Sequence, residues 1–466
     1  MQKLTKITST IGPMSAPENV LRQMIENGMN VCRLNFSHDA KEVHAERIAT
    51  IRKLSAEFGR PIAIMADLQG PKNRIGDFAG TYTDDGETHR TILKIGQTFT
   101  FDSNPALGDN TRVYMPESFV LESLSVGDRI LLNDGKMEMQ VTAKSPGRID
   151  AVVIRGTEIW DRRGFNLPDT EVNTSVLTDK DRENLDFVLK HNPDFVAISF
   201  VQKPEDVTEV RNFITARTSA PVKIIVKIER PQGVERFEEI ADVADAVMVA
   251  RGDLAVEMPF WEIPAIQRYL IRACRKKNRP IIVATQMLAS MADNEFPLRS
   301  EISDVATAAY LRADSVMTSE ETTIGHFPVL VVETMSKILA NADTDSIENS
   351  YDWNRVDNIP ENDWSRSVTT VAYLNKATAI VVFDRSGRKS REISCRRPDM
   401  PIVSVCNLEI IANQLCLSRG VRPIFSEQMF TAKDVCAALA HVGIVGGKVV
   451  VVDGDDITMK DIECDV

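Results

Sequence analysis

The sequence predicts an α/β chain whose main body is a (β/α)8 TIM barrel, carrying an inserted small β-barrel lid domain and followed by a C-terminal α/β domain. Three observations predict it. Strand–helix alternation runs through the first seventy residues and resumes near Thr178, with three units before the interruption and five after it, eight in all. Between about Pro71 and Leu167 that alternation gives way to short strands and turn dipeptides. Beyond Asn341 an aspartate-rich polar stretch precedes a second, smaller run of α/β alternation. The expected boundaries are 1–70 with 169–341 for the barrel, 71–168 for the lid and 342–466 for the C-terminal domain.

The elements follow in order. Leu4–Thr10 reads as a strand before a Gly-Pro turn, and Ala16–Asn27 as a helix stopped by Gly28. Asn30–Phe36 is a strand that ends in Ser37-His38; Glu42–Phe58 is an amphipathic helix; Pro61–Ala66 is a strand that ends at Asp67. In the insert the strand candidates are Gln97–Phe101, Arg112–Met115, Arg129–Leu132, Met137–Thr142 and Ile149–Ile154. Turn dipeptides such as those in Asn133-Asp134-Gly135 separate several of them, a barrel-like pattern, and Gly70-Pro71 and Leu167-Pro168 bracket it as hinges. Barrel strands resume at Phe195–Ser199, Ile224–Ile228, Ala246–Val249, Pro280–Ala284 and Ser315–Met317. A doubly wound open sheet is the structural alternative, but the G-x-G-x-x-G turn of its nucleotide-binding version is absent. After Asn341 a linker is expected, then a helix at Ser365–Asn375 and strands at Ala379–Phe383, Ile402–Val405 and Lys448–Val452.

Composition narrows the functional class. The 466 residues are 43 % hydrophobic and 26 % charged, ordinary for a globular protein. No apolar run approaches the roughly 18 residues of a membrane span, and the N-terminus lacks the apolar core of a secretory signal. Seven cysteines show no CxxC spacing and no histidine partners, so neither a zinc site nor a disulfide framework is indicated; reduced thiols in a cytoplasmic protein are expected. A net charge of −12 argues against nucleic acid or anionic membrane as partner, and an anionic substrate then requires a local basic cluster.

One stretch, Lys223–Glu257, concentrates the chemistry. Ile224, Ile225, Val226 and Ile228 form a buried-strand run that Lys227 interrupts. An unpaired buried charge costs several kcal/mol, so this lysine must be paired or functional. Glu229, two residues on, points to the same side. A helix at about Val234–Asp242 and a strand at Ala246–Ala250 deliver Arg251-Gly252-Asp253 into a loop. Taken alone, these residues also fit a structural Lys–Glu pair and a helix-capping Asp.

In a (β/α)8 barrel, polar residues at C-terminal strand ends are active-site candidates. That rule collects Arg33, Asn35, Ser37, Asp67, Ser199, Lys227, Glu229, Asp253 and Thr285. Glu229 and Asp253, oxygen ligands without histidine or thiolate, suit a hard cation such as Mg2+. Lys227 beside them suits the charge of a transferring phosphoryl group or an enolate. Arg33, Lys72, Arg74, Arg162 and Arg163, near the mouth or the hinges, supply local positive charge.

These residues fall in segments that resemble the pyruvate kinase family. TSTIGP at Thr8–Pro13, GMNVCRLNFSH at Gly28–His38, DLQGPK at Asp67–Lys72 and GFNLP at Gly164–Pro168 carry the resemblance, with VKIE at Val226–Glu229 and MVARGDLAVE at Met248–Glu257. SDVATA at Ser303–Ala308 and ATQML at Ala284–Leu288 complete the set, all in the family's order. The resemblance implies phosphoryl transfer from phosphoenolpyruvate to ADP, giving pyruvate and ATP, by a cytoplasmic homotetramer. It implies Mg2+ (with Mn2+ as a substitute) on Glu229 and Asp253, and Lys227 on the phosphoryl group and enolate. Thr285 then serves enolate protonation, Gly252 and Asp253 offer amides to the substrate carboxylate, and Arg33 binds phosphate. The nucleotide falls to Asn35, His38, Arg74 and Arg163, the last where the family often has lysine. The insert becomes a lid that excludes water.

Departures from the family pattern sharpen the expectations. Many members hold K+ near Asn35, Ser37 and Asp67 and carry Asp-Thr-Lys-Gly-Pro-Glu where this chain has Asp67-Leu68-Gln69-Gly70-Pro71-Lys72, with Ile75 replacing a further threonine. The combination resembles K+-independent members, with Lys72 standing in for the cation's charge. Arg385, Ser386, Arg388 and Lys389 form a candidate effector site, but Asp384 and the acidic loop Asp453–Asp456 predict no activation by fructose 1,6-bisphosphate. Ala255, Glu320 and Asp169 replace usual glycines, and Glu320 raises the question of a positive φ. Two rivals stand beside this reading: another Mg2+-dependent, enolate-forming barrel enzyme (an aldolase or lyase), and a catalytically silent metabolite-binding paralogue.

Overall fold

The computed structural model describes residues 3–79, 81, 82, 89–172, 174–349, 363–428 and 434–463. Eight strands close into a parallel barrel in chain order: Lys6–Thr10, Val31–Asn35, Ala63–Asp67, Phe195–Ile198, Lys223–Ile228, Ala246–Ala250, Ile281–Ala284 and Ser315–Thr318. Their near-continuous apolar sequences follow from burial on both faces. Val31, Met65, Ala197, Ile225, Met248 and Ile282 pack inside the cylinder, while alternate residues such as Leu34, Ile64 and Val226 pack outward. Cys416 and Leu417 of the C-terminal domain belong to the interior cluster and close its floor. Register brings Asn35 level with Asp67, and Asp67 level with Ala197, so the polar strand ends share one rim.

The insert is built from two sheets around one shared core. One sheet orders Arg112–Tyr114, Thr98–Asp102, Arg148–Arg155, Met137–Ser145 and Arg129–Leu132; the other orders Glu158–Trp160, His89–Ile92 and Thr81–Tyr82. Phe101 and Phe165 meet edge to face, centroids 5.0 Å apart, and Leu131 bridges to Asn166 at the second hinge. The three short strands of the second sheet and the helix Ser118–Ser123 were not expected from the sequence.

Three further expectations are corrected. The helix expected at Val234–Asp242 is two, Pro231–Glu235 and Phe237–Val243, because Arg236 (φ −97°, ψ 18°) leaves helical geometry between them. The loop expected after Ala250 is a helix, Arg251–Glu257. The linker expected from Asn341 begins as helix, since Pro328–Glu348 runs through it. Asp343 explains the last case: its carboxylate accepts from the Leu4 and Thr5 amides (2.7 and 2.8 Å) and pairs with Arg419 at 2.6 Å. Residues 350–362 of that stretch lie outside the described residues.

The C-terminal domain is a five-stranded sheet in the order Val421–Phe425, Ile402–Cys406, Ala379–Phe383, Gly446–Asp453, Asp456–Glu463, parallel except for the final hairpin. It joins the barrel through Arg397–Asp314 (2.5 Å), Arg419–Asp343 fastens it to the helix Pro328–Glu348, and a cavity of about 650 Å3 lined by Lys3, Lys6, Arg60 and Arg422 lies along the joint. No helix among the described residues is long and apolar enough to cross a membrane.

Candidate active site

Lys227 is the hub of the rim. Period-2 alternation places it on the inner side with Ile225. Its Nζ lies 2.8 Å from Ser199 Oγ, 3.0 Å from Glu229 Oε1 and 3.3 Å from Asp67 Oδ1. Ser199 Oγ donates to Leu68 O (2.8 Å), which leaves its lone pairs for the ammonium. Arg33 Nε pairs with the other Asp67 oxygen at 2.6 Å and Arg33 Nη1 donates to Thr10 Oγ1 at 2.9 Å. Burial alone would lower the Lys227 pKa, but Asp67 and Glu229 outweigh it and hold the ammonium above the ordinary lysine value. Burial would likewise raise Asp67, and Lys227 with Arg33 outweighs it, so Asp67 stays below the ordinary carboxylate range. The site therefore keeps a fixed ammonium at neutral pH, with the Arg33 guanidinium paired to Asp67 beside it.

Glu229 differs. Its Oε2 accepts from the Phe200 amide at 2.8 Å, where the backbone is left-handed (φ 59°). Its Oε1 has no hydrogen-bond donor in acceptable geometry, and the same holds for Asp67 Oδ1. Burial, and then the Asp253 carboxylate, push the Glu229 pKa up. Such an oxygen, costly to keep charged, suits a cation. Asp253 sits in the first turn of Arg251–Glu257, about one-third exposed, and pairs with Lys72 at 3.4 Å. Among the described residues no three His, Cys, Asp or Glu side chains form a ready-made metal cage. The donor set fits a hard ion taking two carboxylates, with substrate and water completing its shell.

Thr285 follows the seventh barrel strand with φ 69°, and Gln286 repeats the left-handed conformation at φ 55°. For a β-branched residue this costs about 1–3 kcal/mol, tolerated only where neighbours over-determine it. Thr285 Oγ1 donates to Ala284 O (2.7 Å) and accepts from the Gly252 amide (2.8 Å). The Gly252 amide, expected from the family pattern to face a carboxylate, is thus engaged by the threonine hydroxyl here. Arg251 holds the same turn, donating to Ala284 O and Thr285 O at 3.1 and 2.6 Å and pairing with Asp304 at 2.7 Å. The sequence had presented Arg251 only as part of the Arg-Gly-Asp triplet, although the strand-end rule applied to it as well.

The remaining candidates divide between rim and lid. At the end of the second strand Asn35 Oδ1 accepts from the Ser37 amide (3.2 Å), and just after it His38 O accepts from His44 Nε2 (3.0 Å). Arg74 is exposed on the insert, donating to Arg162 O at 2.9 Å, and Arg162 pairs with Asp77 at 2.7 Å. Arg163 stacks over Trp160 at 5.6 Å. At the first hinge Gly70 has φ 70°, and a Cβ there would stand 2.8 Å from Ser199 Cβ; at the second, Asn166 Nδ2 donates to Glu257 Oε1 at 3.0 Å. Both hinges are therefore tied to the helix that carries Asp253, through Lys72 and through Asn166. Glu257, buried with its pKa pushed up by burial, was missed because nothing in the sequence shows that it faces a hinge.

The replaced glycines need no positive φ. Glu320 is exposed and opens the short helix Glu320–Thr323, Asp169 pairs with Arg129 at 2.7 Å, and Ala255 packs against the barrel core; none of them is among the left-handed residues. In the C-terminal domain Arg385, Ser386, Arg388 and Lys389 line a cavity of about 510 Å3 with Asp384 and Asp453. Arg388 pairs there with Glu392 (2.6 Å), Lys389 pairs with Asp455 (3.0 Å), and Asp384 accepts from the Ser386 and Ser390 amides.

A parallel eight-stranded barrel that gathers a buried lysine, an arginine and hard-oxygen carboxylates at its C-terminal rim, under an inserted lid, defines a barrel phosphotransferase. Comparison with known proteins gives the particular lineage. The model of the pyruvate kinase barrel domain matches residues 2–332, and that of the pyruvate kinase alpha/beta domain matches 363–461. A pyruvate kinase of Methylorubrum extorquens is 36 % identical over 460 residues, covering 97 % of this chain and 94 % of that protein. One from Thermococcus litoralis is 35 % identical over 450 residues, covering 95 % and 92 %. The crystal structure of a pyruvate kinase from Cryptosporidium parvum superposes with a TM-score of 0.90 at 31 % identity, covering 99 % of this chain and 96 % of that one. The chain belongs to the pyruvate kinase family.

Proposed function

We propose that this chain transfers the phosphoryl group of phosphoenolpyruvate to ADP, giving pyruvate and ATP, as the last step of glycolysis. The observation that carries this is the Lys227 ammonium, fixed among Ser199, Glu229 and Asp67 on the barrel rim. Phosphoryl transfer needs positioning and charge neutralisation more than covalent chemistry. Arg33 and Lys227 bind the transferring group, and Lys227 stays beside the enolate oxygen as the P–O bond breaks. Thr285 gives a proton to the enolate carbon, and its hydroxyl is refilled from water. The substrate carboxylate takes the amides of Gly252 and Asp253, the former after the Thr285 hydroxyl releases it. Asn35, His38, Arg74 and Arg163 take the nucleotide as the lid closes. Glu229 and Asp253 would hold Mg2+, or Mn2+ in its place, and the bound ion would supply charge neutralisation to the reacting groups.

The finer expectations belong to the same proposal. K+ is not required, because Lys72 brings an ammonium to the acidic side of the site. Fructose 1,6-bisphosphate does not activate, which is supported by the pairing of Arg388 and Lys389 with acidic neighbours beside Asp384. Any effector at Arg385, Ser386, Arg388 and Lys389 must displace those pairs. The proposed domains are 1–70 with 169–341, 71–168 and 342–466, in a cytoplasmic homotetramer that binds neither nucleic acid nor membrane. The purified chain with phosphoenolpyruvate, ADP and Mg2+ tests the activity: pyruvate and ATP form together. Absence of pyruvate removes the proposal, and pyruvate formed without ADP favours a lyase.

A further inference from the structure

Two successive left-handed residues, Thr285 and Gln286, follow an ordinary strand. Threonine does not choose that conformation, so the surroundings must impose it. A single side chain dominates them. Arg251 Nε donates to Ala284 O at 3.1 Å and Nη2 to Thr285 O at 2.6 Å, so one planar fork spans the two carbonyls that flank Thr285. Nη2 also lies 2.9 Å from Met287 Sδ, and Nη1 meets Asp304 Oδ1 at 2.8 Å and Gln267 Oε1 at 3.3 Å. Asp304 comes from the helix Arg299–Tyr310 and braces the far side of the guanidinium. The next residue, Gly252, gives its amide to Thr285 Oγ1 at 2.8 Å. Before substrate binds, residues 251 and 252 together fix the backbone and the hydroxyl of Thr285, which donates to Ala284 O; once the substrate takes the Gly252 amide, Arg251 alone holds the turn. A lysine has no planar fork to span two carbonyls, so the geometry selects arginine.

We infer that Arg251, braced by Asp304, is a positioning residue that aims the Thr285 hydroxyl at the enolate, serving proton delivery and not phosphoryl transfer. The inference rests on the proposed role of Thr285. In that step a C–H bond forms between the Thr285 proton and the enolate carbon as the C=C π pair is used, the enolate oxygen becomes the ketone, and water returns a proton to Oγ1. A turn displaced by a fraction of an ångström leaves the phosphoryl contacts of Arg33 and Lys227 in place and spoils this one transfer.

Arg251→Lys and Asp304→Asn in the full chain test it. Exchange of pyruvate methyl protons with D2O in the presence of Mg2+, followed by NMR, runs the protonation step in reverse; single-turnover ATP formation from phosphoenolpyruvate and ADP reads the transfer step. For Arg251→Lys, methyl exchange falls about tenfold or more while single-turnover ATP formation stays within about twofold, because orientation is lost at one step only. Asp304→Asn, which keeps the shape and one acceptor, moves exchange the same way by a smaller factor, and it decides the matter if Arg251→Lys does not fold. Equal loss in both readouts, or loss in neither, overturns the inference. Thr285→Val separates the layers. If it leaves exchange at the wild-type level, the role of Thr285 fails and the inference with it. If it abolishes exchange while the Arg251 and Asp304 variants do not, only the inference fails.

Discussion

Lys72 Nζ stands 3.4 Å from Asp253 Oδ1, so a hinge residue of the lid is ion-paired to a carboxylate proposed to hold the divalent ion. Both side chains are about one-third exposed, and such a pair is worth only about 0–1 kcal/mol. A divalent cation competing for Asp253 would free the Lys72 ammonium at the mouth of the site. With tetramethylammonium as the only monovalent cation the wild-type enzyme is therefore expected to turn over at its full rate, and added K+ to change that rate by less than about twofold, since the positive charge is already covalently present. Lys72→Glu inverts the local charge and is expected to lose about 100-fold in kcat without K+ and to regain most of it with K+. Strong K+ activation of the wild type would sink the idea.

Lys227→Met removes the cation between Asp67 and Glu229, whose side chains are both 1 % exposed. The expected loss in kcat is about 10²–10³, in line with removal of one preorganised electrostatic group. Breaking a buried pair also destabilises, by about 3–5 kcal/mol where no second partner remains. Asp67 keeps Arg33, so the cost falls mainly on Glu229 and a Glu229→Gln change on top should recover part of it. Thermal denaturation of the single and double variants measures this; a double variant less stable than Lys227→Met contradicts it.

The barrel and its rim were legible for a local reason. Strands buried on both faces read as unbroken apolar runs, so Lys227 and Glu229 stood out as interruptions, and period 2 put them on one side. The second sheet of the lid was not legible, because Thr81–Tyr82 and Glu158–Trp160 are too short to show a period. Helix Pro328–Glu348 runs into the expected linker because Asp343 is held by partners distant in sequence, Leu4 and Thr5 at the start of the chain and Arg419 in the C-terminal domain. The grip of Arg251 on Thr285 was hidden for the same reason: it depends on two carbonyls aimed by a left-handed turn that no residue type at 285 or 286 announces.

The effector region of the C-terminal domain gives a third expectation. A sugar bisphosphate would have to displace Glu392 from Arg388 and Asp455 from Lys389, and would face Asp384, 5 % exposed and committed to the Ser386 and Ser390 amides. Like charges on both partners make that exchange unfavourable. Adding fructose 1,6-bisphosphate should leave the phosphoenolpyruvate saturation curve unmoved. A clear shift of its midpoint refutes the expectation.

The joint between barrel and C-terminal domain should make stability depend on pH in the alkaline range. Lys6 is 8 % exposed, and its Nζ donates to Val421 O. Burial pulls its pKa down to about 8; Arg422 and Arg60 add to that, while Cys416 and Asp314 oppose it. Unfolded, the amine titrates at about 10.4. Between those values the folded chain binds fewer protons than the unfolded chain, so the Lys6 contribution to stability rises with pH across the window. Below the window the folded protein carries the whole cost of a buried ammonium, at most about 3 kcal/mol for a shift of this size. Lys6→Met removes that cost and one hydrogen bond worth about 1 kcal/mol. The variant should therefore melt above the wild type near pH 6.5, with the difference shrinking steadily and changing sign as the pH approaches 10, where only the lost hydrogen bond remains. Melting temperatures of the two proteins measured side by side at pH 6.5, 8 and 9.5 (values chosen to straddle the window) give the trend directly. A difference that stays constant across the series would mean that Lys6 is solvated by the cavity and carries no linkage.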